Sequence, residues 1–241
     1  MKPIAIFRHT KTEGPGYFAT FLDQRSIPWQ LIAIDQDEAV PECAEAFSGL
    51  CLMGGPMSVN DQLPWIGQVC ALIRDANSRD IPVIGHCLGS QLMSKALGGV
   101  VTPSPIKEIG WGHAYTENND SARLWLRDCL GETGLATVFQ WHGETFSIPP
   151  GAQRILTNEF CTNQMFTLGP HLAMQCHVEM TSEMINEWCK SWATEVHGLD
   201  PRPVTVQTPE QMLSETPDRL PVMRLLADQL YSIWMMGLKR N

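Results

Sequence analysis

Ile84-Gly85-His86-Cys87-Leu88-Gly89-Ser90-Gln91 follows an apolar stretch and leads into a helix-forming one. A nucleophile at a strand-to-helix turn needs small neighbours, because the turn is sharp and its side chain must stand clear of the sheet. Gly85 and Gly89 flank Cys87 at two residues on each side, with Cys where many hydrolases carry Ser. Far downstream, Gln175-Cys176-His177-Val178-Glu179 closes a second apolar run with a His and a Glu two positions apart. Together the two stretches predict a Cys-His-Glu enzyme.

Working outward, residues 4–9 read as a strand and 16–25 as the helix after it. Residues 29–34 and 50–53 are further strands, 65–77 a helix, 81–84 a strand feeding the Cys87 turn, and 88–97 the following helix. Continuous apolar strands alternating with amphipathic helices imply a parallel sheet covered on both faces. Beyond Pro105 the rhythm changes. Short strands at 109–116, 138–141, 153–157, 164–167 and 171–176 crowd together and return to the sheet near His177. Residues 181–195 form a helix capped by Thr181 or Ser182. Residues 198–209 hold three prolines and read as a linker or extended arm, before an amphipathic helix over 222–238. The expected division is therefore 1–197 as one domain and 198–241 as a C-terminal linker and helical extension.

A net charge of -9 argues against nucleic acid, whose phosphates need a basic face. No apolar stretch is long enough for a membrane span, and Arg8-His9 stops the N-terminal run short of a signal peptide. The expected location is the cytoplasm. Eight cysteines could mark a disulfide scaffold, a metal site or free thiols. Without a Cys-x-x-Cys pair or zinc-like His spacing, reduced thiols are the default, and neither metal nor cofactor is expected. His9, His86, His113, His171 and His197 show no ligand spacing and read as structural, and Trp188 and Trp192, four apart on a helix, as packing.

A thiol attacks only as thiolate, so Cys87 needs a base, a helix N-terminus, or both. The helix after Cys87 supplies amide dipoles, and His177 a proton acceptor. Side chains two apart on a strand share a face, so Glu179 can accept the other ring proton of His177 and fix its tautomer. Acyl transfer also needs oxyanion donors, most simply two backbone N–H groups. One is that of Leu88. The other could come from Gly54-Gly55-Pro56, which otherwise reads as a tight turn.

These pieces resemble the class I glutamine amidotransferase family, in particular free-standing relatives of the glutaminase domain of GMP synthetase. The matching segments are 53–61, 85–91, Phe139-Gln140-Trp141-His142-Gly143-Glu144 and 175–179, spread over about residues 3–195. The resemblance implies a flavodoxin-like α/β three-layer sandwich with a mostly parallel central sheet. It implies a Cys87–His177–Glu179 triad, oxyanion donors at Gly55 and Leu88, and substrate binding by Gln91, Trp141 and His142. Taken alone, His142 reads as a turn residue and Gln91 as a helix-surface one. The substrate implied is glutamine or a γ-glutamyl small molecule. Two departures stand out. Val178 replaces the proline usual between the His and the Glu, and no ammonia-consuming domain follows. An ammonia acceptor would come from another protein, or the reaction is plain hydrolysis; a homodimer, a γ-glutamyl peptide hydrolase and a partner-activated subunit docking through 222–238 are the alternatives.

Overall fold

The computed structural model describes residues 1–241 except 127, 128, 132, 240 and 241. The predicted alternation forms in its first part: β1 (Ile4–Arg8), α1 (Gly16–Gln24), β2 (Trp29–Ala33), β3 (Gly49–Leu52), α2 (Pro64–Ser78), β4 (Val83–His86) and α3 (Leu88–Ala96). There follow β5 (Val101–Thr116), α4 (Asp120–Leu126), β6 (Leu135–Phe146), β7 (Gln153–Thr157), β8 (Met165–Leu168) and β9 (His171–Met174). Helices α5 (Ser182–Ser191), α6 (Ala193–His197) and α7 (Pro209–Met235) complete the order.

The nine strands form one sheet in the order β2-β1-β3-β4-β9-β8-β7-β5-β6. Pairing is parallel from β2 to β9 and antiparallel from β9 to β6. Strand periodicity divides β1 between two cores. Ile4 and Ile6 join Phe18, Phe21 and Trp234 on one face, while Ala5 and Phe7 join Ile73 and Leu92 on the other. Helices therefore cover both faces, α1, α4, α5 and α7 on one and α2 and α3 on the other, which gives the three-layer, flavodoxin-like α/β arrangement. Thr181 is the cap of α5, its hydroxyl accepting from Met184 N at 3.2 Å.

Several elements differ from their sequence reading. β5 begins at Val101 despite Pro103 and Pro105, because the strand carries a register irregularity between Pro103 and Glu108, where missing amide donors are tolerated. The short α4 was not expected. It is about two turns with one buried face, of Ala122, Trp125 and Leu126. The helix expected over 181–195 breaks at Trp192 into α5 and α6.

The largest difference is α7, which starts at Pro209 and passes through Pro217 and Pro221. Prolines break helices by removing a donor and clashing one turn back, hence the later start expected. Here a Thr208–Gln211 capping box and the burial of Met212, Thr216, Leu220 and Met223 hold the first turns. Further along, Tyr231 and Trp234 pack edge-on against Phe18 at 4.8 and 5.7 Å. The segment before α7 is an arm strapped to β5: Ile109 N donates to Thr205 O and Gln207 N to Ile109 O, at 3.0 and 2.9 Å. No helix among the described residues is long and apolar enough to cross a membrane.

Trp234→Ala should cost about 3–5 kcal/mol in urea unfolding, as loss of a fully packed aromatic does. Leu225→Ala, on the same helix but 63% exposed, should stay within about 0.5 kcal/mol.

Candidate active site

β4 ends at His86 and α3 begins at Leu88, leaving Cys87 alone between them at φ 47°, ψ -107°. A non-glycine residue holds positive φ only where its surroundings enforce it. The enforcement is close packing: a Cβ on Gly85 would lie 2.6 Å from the Gly89 carbonyl carbon, and one on Gly89 2.2 Å from Leu52 O. Cys87 N donates to Met174 O of β9 at 2.7 Å. The thiol faces a cleft of about 400 Å³ and lies 3.8 Å from Trp141 O and 3.5 Å from Gln175 Nε2.

β9 delivers His177 to the same cleft. Its backbone exchanges hydrogen bonds with Phe139 of β6 at 2.8 and 3.2 Å. Nδ1 donates to Glu179 Oε1 at 2.6 Å, and Nε2, on the other side of the ring, meets no hydrogen-bond partner of good geometry among the described residues and is left for Cys87 and the cleft. Burial opposes charge on both residues, but their mutual attraction wins. It holds His177 well above the usual imidazole range, with help from Cys87, and Glu179 well below the usual carboxylate range. The second Glu179 oxygen accepts from Val178 N at 2.9 Å, a bond that proline could not donate. His86 Nε2 lies 3.9 Å from that oxygen and 3.0 Å from the Tyr231 hydroxyl, so α7 reaches the neighbourhood of Glu179.

Gly55 and Leu88, the residues expected to donate to an oxyanion, are neighbours: a Cβ on Gly55 would lie 2.7 Å from Leu88 Cδ2. Gln91, Trp141 and His142 all line the cleft. Gln91 is buried, not on a helix surface, and its amide donates to Gln175 Oε1 at 3.1 Å. His142 lies within β6 and not in a turn, because Glu108 of β5 pairs with it and the ladder continues through Trp141. Trp141 Nε1 donates to Glu195 Oε2 at 2.9 Å, and Lys107 holds the other oxygen at 2.6 Å. Trp188 and Trp192 pack as expected, yet both also form cleft wall, with Trp188 edge-on to His177 at 4.9 Å.

Sequence reading missed Glu13. This residue is buried against the cleft, where burial raises its carboxyl to about 8, the His177 charge opposing the rise and Glu179 adding to it. Glu13-Gly14-Pro15-Gly16 reads only as a turn, and nothing local signals the fold around it. Behind the cleft, Glu108, His142 and Cys161 bring ligand atoms within 4.8 Å of one another, close enough to hold a metal ion. Spacing along the chain could not show this group, since it is assembled from β5, β6 and the loop before β8. Both Glu108 oxygens already accept amide hydrogens, from Asn158 at 2.6 Å and Gln164 at 3.1 Å, and His142 Nδ1 lies 3.1 Å from Glu144 O.

A family model described as glutamine amidotransferase class-I matches residues 21–189. The chain belongs to the class I glutamine amidotransferase family, and is an enzyme of that family. It is 31% identical over 183 residues to the glutamine amidotransferase-like protein YfeJ of Salmonella typhimurium, over 73% of this chain and 75% of that one. It is 24% identical over 185 residues to gamma-glutamyl peptidase 3 of Arabidopsis thaliana, over 73% and 74% of the two chains. The crystal structure of a glutamine amido transferase from Methylobacillus flagellatus matches with a TM-score of 0.95 and 42% identity, covering 100% of this chain and 97% of the other.

Two measurements probe the electrostatics of the site. A carboxyl whose native value exceeds its unfolded one binds its proton more tightly when folded, so its stabilising effect fades as pH rises. Wild type should thus lose stability relative to Glu13→Gln between about pH 4.5 and 8, the two limits for Glu13, in urea titrations across that range. Val178→Pro, which deletes the N–H donated to Glu179, should cost roughly 1.5–3 kcal/mol in the same assay at pH 7, as loss of a hydrogen bond to a charged group does.

Proposed function

We propose that this protein hydrolyses the side-chain amide of glutamine through a thioester on Cys87, by the acyl-transfer chemistry of its family. The observation that carries the reading is the pairing of a cleft-lining elbow cysteine with an imidazole whose far nitrogen is locked by a buried carboxylate. His177 takes the thiol proton and returns it to the departing nitrogen, and Glu179 holds the ring in the required tautomer. The N–H groups of Gly55 and Leu88 receive the oxyanion of the tetrahedral intermediate. Gln91, Trp141 and His142 hold the glutamyl portion, and water then cleaves the thioester. On this reading residues 1–197 carry the reacting groups, while 198–241 supplies the arm and the helix behind Glu179.

A γ-glutamyl peptide hydrolase is the second reading. It is supported by the likeness to gamma-glutamyl peptidase 3 and by a cleft walled with Trp141, Trp188 and Trp192, whose apolar faces suit a leaving group larger than ammonia. If glutamine is the substrate, either an ammonia-accepting partner protein uses the product or the reaction is plain hydrolysis; a homodimer is the other expected assembly.

Glutamate release from glutamine and from γ-glutamyl dipeptides tests both readings. Cys87→Ala should abolish turnover, and Glu179→Gln should lower kcat by about 10⁴-fold, as loss of the orienting acid does in Ser-His-Asp enzymes. Turnover that survives Cys87→Ala would overturn the thioester mechanism.

A further inference from the structure

The steps above leave one cleft group without a task. Glu13 is 5% exposed and lines the cleft beside Cys87 and His177, yet no described residue gives its carboxyl a hydrogen bond. A buried carboxyl without a partner is costly, and such groups concentrate where a ligand supplies the partner. The other cleft carboxylates are engaged: Glu144 by the Ser58 hydroxyl at 3.0 Å, and Glu195 by Lys107 and Trp141.

Its position is fixed from two sides. A Cβ on Gly54 would lie 1.8 Å from Glu13 Oε2 and 3.3 Å from His177 Cε1. The carboxyl therefore fills the space between the glycine loop and the imidazole. Thr12 O, one residue away, accepts the Trp188 indole N–H at 2.8 Å, and that indole is the ring set edge-on to His177. A carbonyl attacked by Cys87, with its oxygen toward Gly55 and Leu88, turns its leaving nitrogen toward His177 and into the space that Glu13 borders.

We propose that Glu13 is a leaving-group residue, whose carboxyl takes the N–H of the departing amine and gives it a proton so that it leaves as an ammonium ion. This inference rests on the hydrolase reading above. As the S–C bond forms and the C–N bond breaks, the thiol proton passes through His177 to the nitrogen, which gives a neutral amine. The second proton comes from the Glu13 carboxylic acid, leaving a carboxylate–ammonium pair, and solvent reprotonates Glu13 once the ammonium departs. Burial keeps Glu13 in the acid form that this transfer needs near neutral pH. An ammonium ion has no lone pair and cannot attack the thioester it has just left. The acyl-enzyme is thereby committed to water, which favours hydrolysis over delivery of neutral ammonia to an acceptor.

Glutamine and glutamate γ-methyl ester form the same thioester and differ only in the leaving atom, so the pair isolates this step. Glu13→Gln should lower kcat/KM for glutamine by about tenfold or more and for the ester by less than about twofold. Alkylation of Cys87 by a glutamine-derived chloroketone, which expels no amine, should keep its wild-type rate. If both substrates fall together, if neither falls, or if alkylation slows as well, the leaving-group role is wrong. A wild-type protein that releases glutamate from neither substrate would overturn the hydrolase reading itself, and this inference with it.

Discussion

The parallel pairing of β4 with β9 is the constraint on which the rest of the site depends. Its register sets Gly85 against Ala173 and His86 against Met174, so both strands finish at the same level. Cys87 is the first residue beyond one strand, and His177 lies three beyond the other. Cys87 N donating to Met174 O extends the ladder by one bond and ties the elbow to the second strand. Because β9 also pairs antiparallel with β8, it is where the βα alternation of the first half meets the meander of the second. The two halves of the proposed chemistry thus come from segments ninety residues apart, joined along one strand interface.

Around that interface the chain accepts several buried ionisable groups, which is expensive unless they satisfy one another. Glu179 receives a ring N–H and a backbone N–H, and has the His86 imidazole nearby. Tyr231 closes the far side, and Tyr17 N donates to Glu179 O at 2.8 Å while the Tyr17 hydroxyl donates to Asp228 of α7 at 2.7 Å. The long C-terminal helix is therefore part of the dielectric in which the His177–Glu179 pair operates. Its aromatic residues keep water from the back of the pair, where solvation would weaken the attraction that sustains both charges.

Much of this was legible in the sequence, and the reasons for success and failure differ. The Cys87 elbow is local chemistry, since sharp turns demand glycine at fixed offsets, and the first strands and helices carry clean periodicity. His177 and Glu179 were legible because two residues so close along the chain have few ways to point. The α7 start was hidden because proline's local penalty is visible in a sequence while the burial that overcomes it is not. His142 read as a turn for the same reason: Gly143 beside it is a local signal, whereas the β5 partner is tertiary. Glu13 and the double duty of Trp188 and Trp192 depend on what the fold places opposite them, and no spacing within their own segments encodes that.

The valine between His177 and Glu179 has a consequence of a different kind. A proline there would stiffen the backbone covalently but would carry no amide hydrogen. Val178 keeps its hydrogen and aims it at Oε2 of Glu179. An amide proton bound to a carboxylate changes its magnetic environment when that carboxylate gains or loses charge. The chain therefore contains, at one backbone position within the site, a built-in spectroscopic gauge of the ionisation of Glu179, which a His-Pro-Glu chain would lack.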